Sequence, residues 1–311
     1  MFTHLRTLPR VFPRVFPRIP PRVSPQLALL PMALVAIVGY LGAALWTLRI
    51  SLTSSRTFPS GHFIGLAQYQ RLFDNERWLL SLHNLAVYGL LFVAASLVLG
   101  CLLAVFIDQQ VMGEALLRTI FLYPYAMSFI ATGVVWQWLL TPGDGLEAAL
   151  RALGWNVHFD WIVSQDMAIG CVVIATVWQA AGLVMAMVLA GLRGIDPEIW
   201  KAARLDGIPA WRVYLQIVLP MLWPTIATVL LLLTTAVIKL YDAVVAMTQG
   251  GPGIASEVPA KFIMDHLFLR SNVGLASAAA VVLLVPVLAL LAPYAYARAY
   301  ARSYASRREA A

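Results

Sequence analysis

Charged residues fall in clusters along the chain, and the stretches between clusters are long and apolar. Residues free of Asp, Glu, Lys and Arg number 26 between Arg22 and Arg49, 30 between Arg77 and Asp108, 25 between Arg118 and Asp144, 26 between Asp166 and Arg193, 26 between Arg212 and Lys239, and 27 between Arg270 and Arg298. A helix needs roughly 20 apolar residues to cross the hydrocarbon core of a bilayer. The pattern therefore predicts six spans, at about 27–48, 79–107, 120–140, 167–192, 221–247 and 275–297. Membrane barrels alternate apolar and polar residues in segments of about ten, whereas Leu90 to Leu103 is almost continuously apolar. The expected fold class is an all-α integral membrane protein with six transmembrane helices. Composition excludes an ordinary soluble domain: 61% of the 311 residues are hydrophobic and 12% charged, against about 25% charged in soluble proteins.

A span domain at 26–300 leaves residues 1–25 and 301–311 as tails. Residues 10 to 25 read Arg-Val-Phe-Pro, Arg-Val-Phe-Pro, Arg-Ile-Pro-Pro, Arg-Val-Ser-Pro. Proline at that density forbids a helix and favours an extended, solvated basic tail. The first apolar run already has span length, unlike the short apolar region of a cleavable signal. Lys and Arg favour cytoplasmic segments. With the N-terminus inside, the inner segments carry 14 of them and the outer segments seven, so both termini are expected in the cytoplasm. The net charge of +7 then reflects topology and contact with anionic lipid, and no domain outside the membrane is left to bind nucleic acid. On the outer side, residues 63–73 form an amphipathic stretch, Trp78 suits an interfacial anchor, and further loops cover 141–166, with a short helix at 146–153, and 249–274. Cys101 and Cys171 fall inside apolar spans without redox or metal spacing.

The only long inner loop between spans reads DPEIWKAARLDGIPAWRVYLQIVLP from Asp196 to Pro220. Asp196 is suited to cap a helix with Pro197 at its first position, and Glu198 favours the positive end of the helix dipole. The helix is expected to reach about Leu205 and to stop at Asp206-Gly207, since Gly adopts left-handed angles at little cost. Pro209 then starts a second helix in which Trp211, Tyr214, Leu215 and Val218 share a face. The prediction is a helix-turn-helix beneath the membrane. By periodicity alone, such a stripe packs on its own protein or on lipid.

Within this loop Ala202, Ala203, Gly207, Ile217, Leu219 and Pro220 fall on the pattern E-A-A, three residues, G, nine residues, I-x-L-P. The loop thereby resembles that of the permeases of carbohydrate-uptake ABC importers of the maltose-importer type. The resemblance extends over most of residues 27 to 300, through FIGLAQYQRLF, Leu122 to Trp138 with Pro124, VWQAAGLVMAMVLAGLRGIDPEIW, and Tyr241-Asp242 through TQGGPG. It implies that the loop is a coupling helix-turn-helix seated in a cleft of an ATPase subunit, with Glu198, Lys201, Ala202, Ala203, Asp206, Gly207, Ile217, Leu219 and Pro220 at or near the contact. Lys201 stands where the family carries Glu, and the nearest acid, Glu198, lies one turn earlier. Three readings are open: the ATPase presents an acid to Lys201, Glu198 takes the acid's role, or the position is a solvated face whose ion pair contributes little.

The resemblance further implies two ATPase subunits, a second related permease in a heterodimer, an extracytoplasmic sugar-binding protein, and a place in the bacterial cytoplasmic membrane. ATP and Mg2+ would sit on the partner ATPase and no cofactor on this chain, which performs no chemistry of its own. The lysines follow Trp200, Ile238 and Ala260, so no phosphate-binding Gly-x-x-x-x-Gly-Lys motif exists, and the five histidines have no metal-ligand spacing. The Glu-Ile-Trp-Lys-Ala-Ala-Arg form looks most like glucose or mannose permeases. Candidates for the solute pathway are Asn84, Tyr88, Trp136, Gln137, Lys239, Tyr241 and Asp242, because aromatic faces stack on sugar C–H surfaces and amides satisfy hydroxyls. Helix packing explains Asn84, Tyr88, Trp136 and Gln137 equally well, and Lys239 and Asp242, three apart, also fit a paired charge on one helix face. Gly250 to Gly253 reads as a rigid external turn, which the resemblance places where the binding protein docks. The rival class is an ion-gradient-driven secondary transporter, which needs intramembrane ionisable groups and repeated halves; only Lys239 and Asp242 qualify.

Overall fold

The computed structural model describes residues 25–109 and 111–289. The predicted tails, up to residue 24 and over 301–311, lie outside the described residues, as does the last part of span six. The described residues up to Thr47 belong to one unit and those from Leu48 to a second. The described residues are helices and turns, with one isolated bridge between Thr53 and Phe63.

The first apolar interval becomes helix α1 (Leu29–Ser51), with a π-helical segment at Ile37–Gly42. A short helix α2 (Ala67–Phe73) precedes α3 (Glu76–Asp108), at 33 residues the longest among the described residues. Helix α3 starts where Asn75 accepts hydrogen bonds from the backbone N–H groups of Arg77 and Trp78 at 3.0 and 3.3 Å, which satisfies two of the free donors at a helix N-terminus. The fourth interval becomes α7 (Ala168–Arg193), an unbroken helix of 26 residues. It packs along α3 and buries Cys171, Val172, Val184, Met185 and Val188 in the main core. Lipid offers no hydrophobic drive for helices to associate, so close backbone approach between small residues has to supply the contact. Gly182 of α7 provides such an approach: a β-carbon there would overlap the Phe121 carbonyl.

The third and fifth spans are not the single helices that the hydropathy predicts. Span three is split into α4 (Glu114–Leu122), a 3-10 turn at Tyr123–Ala126, and α5 (Phe129–Leu140), with a bend of 100°. Pro124 lies in the turn, where it has no N–H to give a helix. A short helix α6 (Gly145–Ala152) follows, one residue from its predicted place. The loop after α7 forms α8 (Pro197–Leu205), then α9 (Ala210–Met221), which meets α10 (Trp223–Ile238) at a 71° bend. Pro220 and Pro224 flank that bend at Leu222: Pro220 has no N–H to donate within α9, and Pro224 sits in the first turn of α10, where a missing N–H is tolerated. Span five breaks again at Lys239 to Tyr241, before α11 (Asp242–Met247). Helix α12 (Pro259–Met264), a π turn at Asp265–Leu269, and α13 (Val273–Ala289) complete the described chain. Among the described residues three helices are individually long and apolar enough to cross a membrane, and the two bent pairs bring the number to five. Helix α13 is apolar but shorter.

Two further expectations are corrected. Trp78 is no interfacial anchor: it is fully buried, 5.2 Å from the Phe262 ring, in a second core with Leu72, Leu275 and Ala279. A position near the end of a span cannot distinguish a tryptophan at the lipid surface from one that a distant helix covers. The shared face of Trp211, Tyr214, Leu215 and Val218 also fails, because α9 is π-helical over Val213–Val218. Its i to i+5 spacing aligns Val213 with Val218, both buried, and turns Trp211 and Leu215 outward.

Candidate functional site

The 196–220 loop is built as its sequence dictates. Asp196 Oδ1 accepts from the Glu198 backbone N–H at 2.9 Å, Pro197 takes the first helical position, and Gly207 ends the turn at a φ of +66°, in the left-handed region. Ala203 is buried against the core, and Trp200 meets Tyr214 edge-on with ring centroids 5.3 Å apart, so the two helices are fastened to one another. The outer face of α8 carries the Lys201–Glu198 ion pair at 2.8 Å, both side chains exposed. That pair satisfies Lys201 within its own helix, and at such exposure it adds little stability. Of the remaining candidate contacts, Ala202 and Asp206 are exposed on α8 and at its end, and Leu219 and Pro220 are exposed on α9 beyond the π segment, with Ile217 half-buried. A cavity of about 850 Å³ lies behind the two helices, bounded by Arg193, Trp200, Arg204, Tyr214 and the end of α3 at Asp108 and Gln109.

A second cavity, of about 400 Å³, lies between α3, α7, α10 and the break in span five. Tyr88, Lys239, Tyr241 and Asp242, four of the predicted pathway residues, line it together. Lys239 and Asp242 do not share a helix face: the chain leaves the helix after Ile238 and re-enters it at Asp242, and no ion pair joins the two among the described residues. Tyr88 donates to Thr176 Oγ1 at 3.1 Å, and Thr176 donates onward to the Val172 carbonyl. The other three predicted residues lie elsewhere. Trp136 stands edge-on to Trp178 at 5.8 Å, and Gln137 is exposed on α5. Asn84 is buried, with Nδ2 donating to the carbonyls of Ala255 and Glu257 at 2.9 Å each, so its amide holds the 250–258 turn on α3.

Sequence reasoning missed Gln179. Its Nε2 donates to the Met127 carbonyl at 2.8 Å, one of the groups freed where span three breaks, while its buried Oε1 has no partner and its side chain lines the second cavity. A Thr and a Gln three residues apart in an otherwise apolar run were the available signal. Also missed was a charge cluster at the start of α3. Arg77 Nη2 donates to Glu257 Oε1 at 2.8 Å and to Asp265, and Lys261 donates to Asp265 at 2.8 Å. Burial pushes the Glu257 carboxyl up against the pull of Arg77. Burial also acts on Asp265, but hydrogen bonds from Lys261 and Arg77 outweigh it and hold that carboxyl below its usual range. Together with Asn84 this cluster ties the turn through Gly250 and Gly253, both at positive φ, to α3. In the loop after α5, the Glu147 carboxylate accepts from the backbone N–H groups of Gly143 and Phe159 at 3.0 and 3.1 Å and pairs with Arg151. Those N–H groups, the largest influence, hold it below the usual carboxylate range.

Residues 96–302 match the family described as the binding-protein-dependent transport system inner membrane component. A probable ABC transporter permease protein of Pyrococcus horikoshii is 36% identical over 258 residues, covering 82% of this chain and 88% of the relative. The trehalose transport system permease protein SugA of Mycobacterium tuberculosis is 31% identical over 255 residues, covering 81% and 80%. Among solved structures, a bacterial ABC transporter involved in the import of the acidic polysaccharide alginate matches with a TM-score of 0.75 over 88% of this chain and 94% of that chain, at 18% identity. That likeness is one of fold.

Proposed function

The chain belongs to the family of binding-protein-dependent transport system inner membrane components, and from that membership we propose that it is one of two permease subunits of an ATP-driven sugar importer. The observation that carries this reading is the capped helix-turn-helix at 196–220: a short rigid helix presents its exposed face away from the core while Ala203 and Trp200 anchor it. A helix of this kind fits a groove on a partner, here an ATPase subunit in the cytoplasm. With this loop inside, both termini are cytoplasmic, in keeping with the bias of Lys and Arg. ATP and Mg2+ belong to the ATPase, and a second six-span permease completes the pathway of which this chain encloses half.

The solute is a neutral mono- or oligosaccharide, with glucose or mannose the first to test. The cavity supports this class: it offers Tyr125 and Tyr241 as aromatic surfaces and one cation and one anion, Lys239 and Asp242, that balance and can bind hydroxyl groups. Transport then proceeds by alternating access, with an external binding protein delivering sugar and ATPase closure moving the coupling helices. Those same two charges are what an ion-gradient-driven carrier would use. Uptake that persists after ATP depletion and collapses with the ion gradient would decide for that carrier.

The test is co-purification in mild detergent of the tagged chain and of Gly207→Asp. A β-carbon strains a position at φ +66°, and a carboxylate obstructs docking. The wild type is expected to bring down an ATPase and a second permease. The variant is expected to remain in the membrane while losing the ATPase and at least tenfold of ATP-driven uptake. Normal uptake by Gly207→Asp would remove the coupling assignment.

A further inference from the structure

The coupling loop is held from both sides by residues that belong to neither of its helices. Upstream, Arg193 at the end of α7 stands three residues before the Asp196 cap, and its guanidinium meets Glu114 Oε1 at 2.7 Å. Glu114 is the first residue of α4, so its carboxylate also sits at the positive end of that helix dipole, and Arg118 of the same helix approaches the same oxygen at 2.5 Å. Downstream, the Tyr214 hydroxyl on α9 accepts from Gln109 Nε2 at 2.8 Å and donates to Asp108 at 3.4 Å, at the end of α3. The same ring packs edge-on against Trp200 of α8. A displacement of α8 is therefore felt by Tyr214 directly, and through Arg193 by Glu114.

The two grips end on different spans. Tyr214 reaches α3, which runs 33 residues from this side to the Arg77 cluster at the other. Glu114 reaches α4, the near half of the broken span three, whose far half follows the 100° bend. The covalent route from the loop leads instead through the π segment and the 71° bend into α10. A π segment and a proline-flanked bend interrupt the regular i to i+4 hydrogen-bond ladder, whereas α3 is one continuous helix.

Resting on the importer reading, we infer that Asp108, Gln109 and Glu114 form a second arm of the coupling apparatus, which carries motion of α8 to spans two and three through Tyr214 and Arg193. These five are positioning residues: they touch neither the solute cavity nor the exposed face of α8. The arm works through charge and hydrogen bonding, so conservative variants weaken it without removing side-chain bulk.

The experiment uses the complete complex, with second permease, ATPase and binding protein, in proteoliposomes supplied with labelled glucose or trehalose. The quantity read is sugar accumulated per ATP hydrolysed, at equal ATPase content. Glu114→Gln and Tyr214→Phe are each expected to lower that ratio at least threefold while hydrolysis continues. The single reversals Glu114→Arg and Arg193→Glu should do the same, and the double reversal, which restores the pair but sets each charge against its helix end and the new arginine beside Arg118, should recover part of the loss. A lowered ratio with rescue is not what loss of stability alone would produce. An unchanged ratio in the single variants, no rescue in the double, or loss of the ATPase from the complex would overturn the second arm and leave the importer reading standing. A wild-type complex that accumulates none of a panel of mono- and oligosaccharides from ATP would overturn the sugar-importer reading, and this inference with it.

Discussion

Spans three, four and five are of similar apolar length in sequence, yet span four is one continuous helix and its neighbours are broken. Helix α7 satisfies its backbone internally and is held by packing, through Gly182 and a buried face of small and branched residues. The broken spans expose backbone groups at their bends, and inside a membrane such groups need partners from the protein or from water in a cavity. The Met127 carbonyl finds Gln179 of α7, and the turn beyond α11 is tied by Asn84 and Arg77 of α3. Continuity is thus maintained by shape and discontinuity by specific polar contacts. The cavity opens where the discontinuities are.

The contrast predicts a graded set of failures. The largest is Gly182→Val, which drives a side chain into the Phe121 carbonyl and is expected to cost about 3 kcal/mol or more. Size-exclusion profiles in detergent should show loss of folded protein, whereas Gly170→Ala, with no neighbour within 4 Å, should behave as wild type. Equal damage from both would mean that close approach does not organise span four. Next comes Arg77→Ala, which leaves the Glu257 carboxylate, 1% exposed, without its cation. A loss at the low end of the range for breaking a buried pair, about 3–5 kcal/mol, is expected, because Arg77 is partly exposed and Lys261 remains near, read as a lower melting temperature that Glu257→Gln in the same chain partly restores.

A smaller effect belongs to Gln179→Leu, which leaves the Met127 carbonyl unpaired at the bend; about 1–3 kcal/mol is expected. Thermal melts would check it, and a variant as stable as wild type would show that the bend needs no clamp from α7. The smallest is pH-dependent. The Glu147 carboxyl titrates below its usual value in the folded chain, so its contribution is present above the ordinary carboxylate pKa of about 4.3 and is lost as pH falls through the lowered one. Proteolysis within 141–160 should therefore rise only at acid pH, and Glu147→Gln should show the same cleavage at neutral pH with no acid step.

Much of the site was legible in advance where its causes are local. Asp196, Pro197 and Gly207 act within one helical turn of themselves, so the first half of the 196–220 loop could be read residue by residue. Tyr88, Lys239, Tyr241 and Asp242 could be nominated by chemistry, but their meeting in one cavity, and the absence of a Lys239–Asp242 face, depends on the break after Ile238. Trp78 looked like a surface residue because its cover, Phe262, lies far along the chain. Glu257, Asp265 and Arg77 are scattered loop charges until the fold joins them across some 180 residues.

By itself the sequence determined the apolar intervals, the all-helical architecture that lipid imposes on them, and the caps and turn of the loop between spans four and five. Hydropathy and capping depend on composition and on neighbours within a few residues, and these survive in any conformation of the chain. Tertiary structure alone decided which apolar runs stay continuous, which polar groups lie in a cavity and which serve as clamps. Those outcomes depend on a partner from a distant helix arriving at a freed carbonyl or a buried carboxylate, and no local pattern records that arrival.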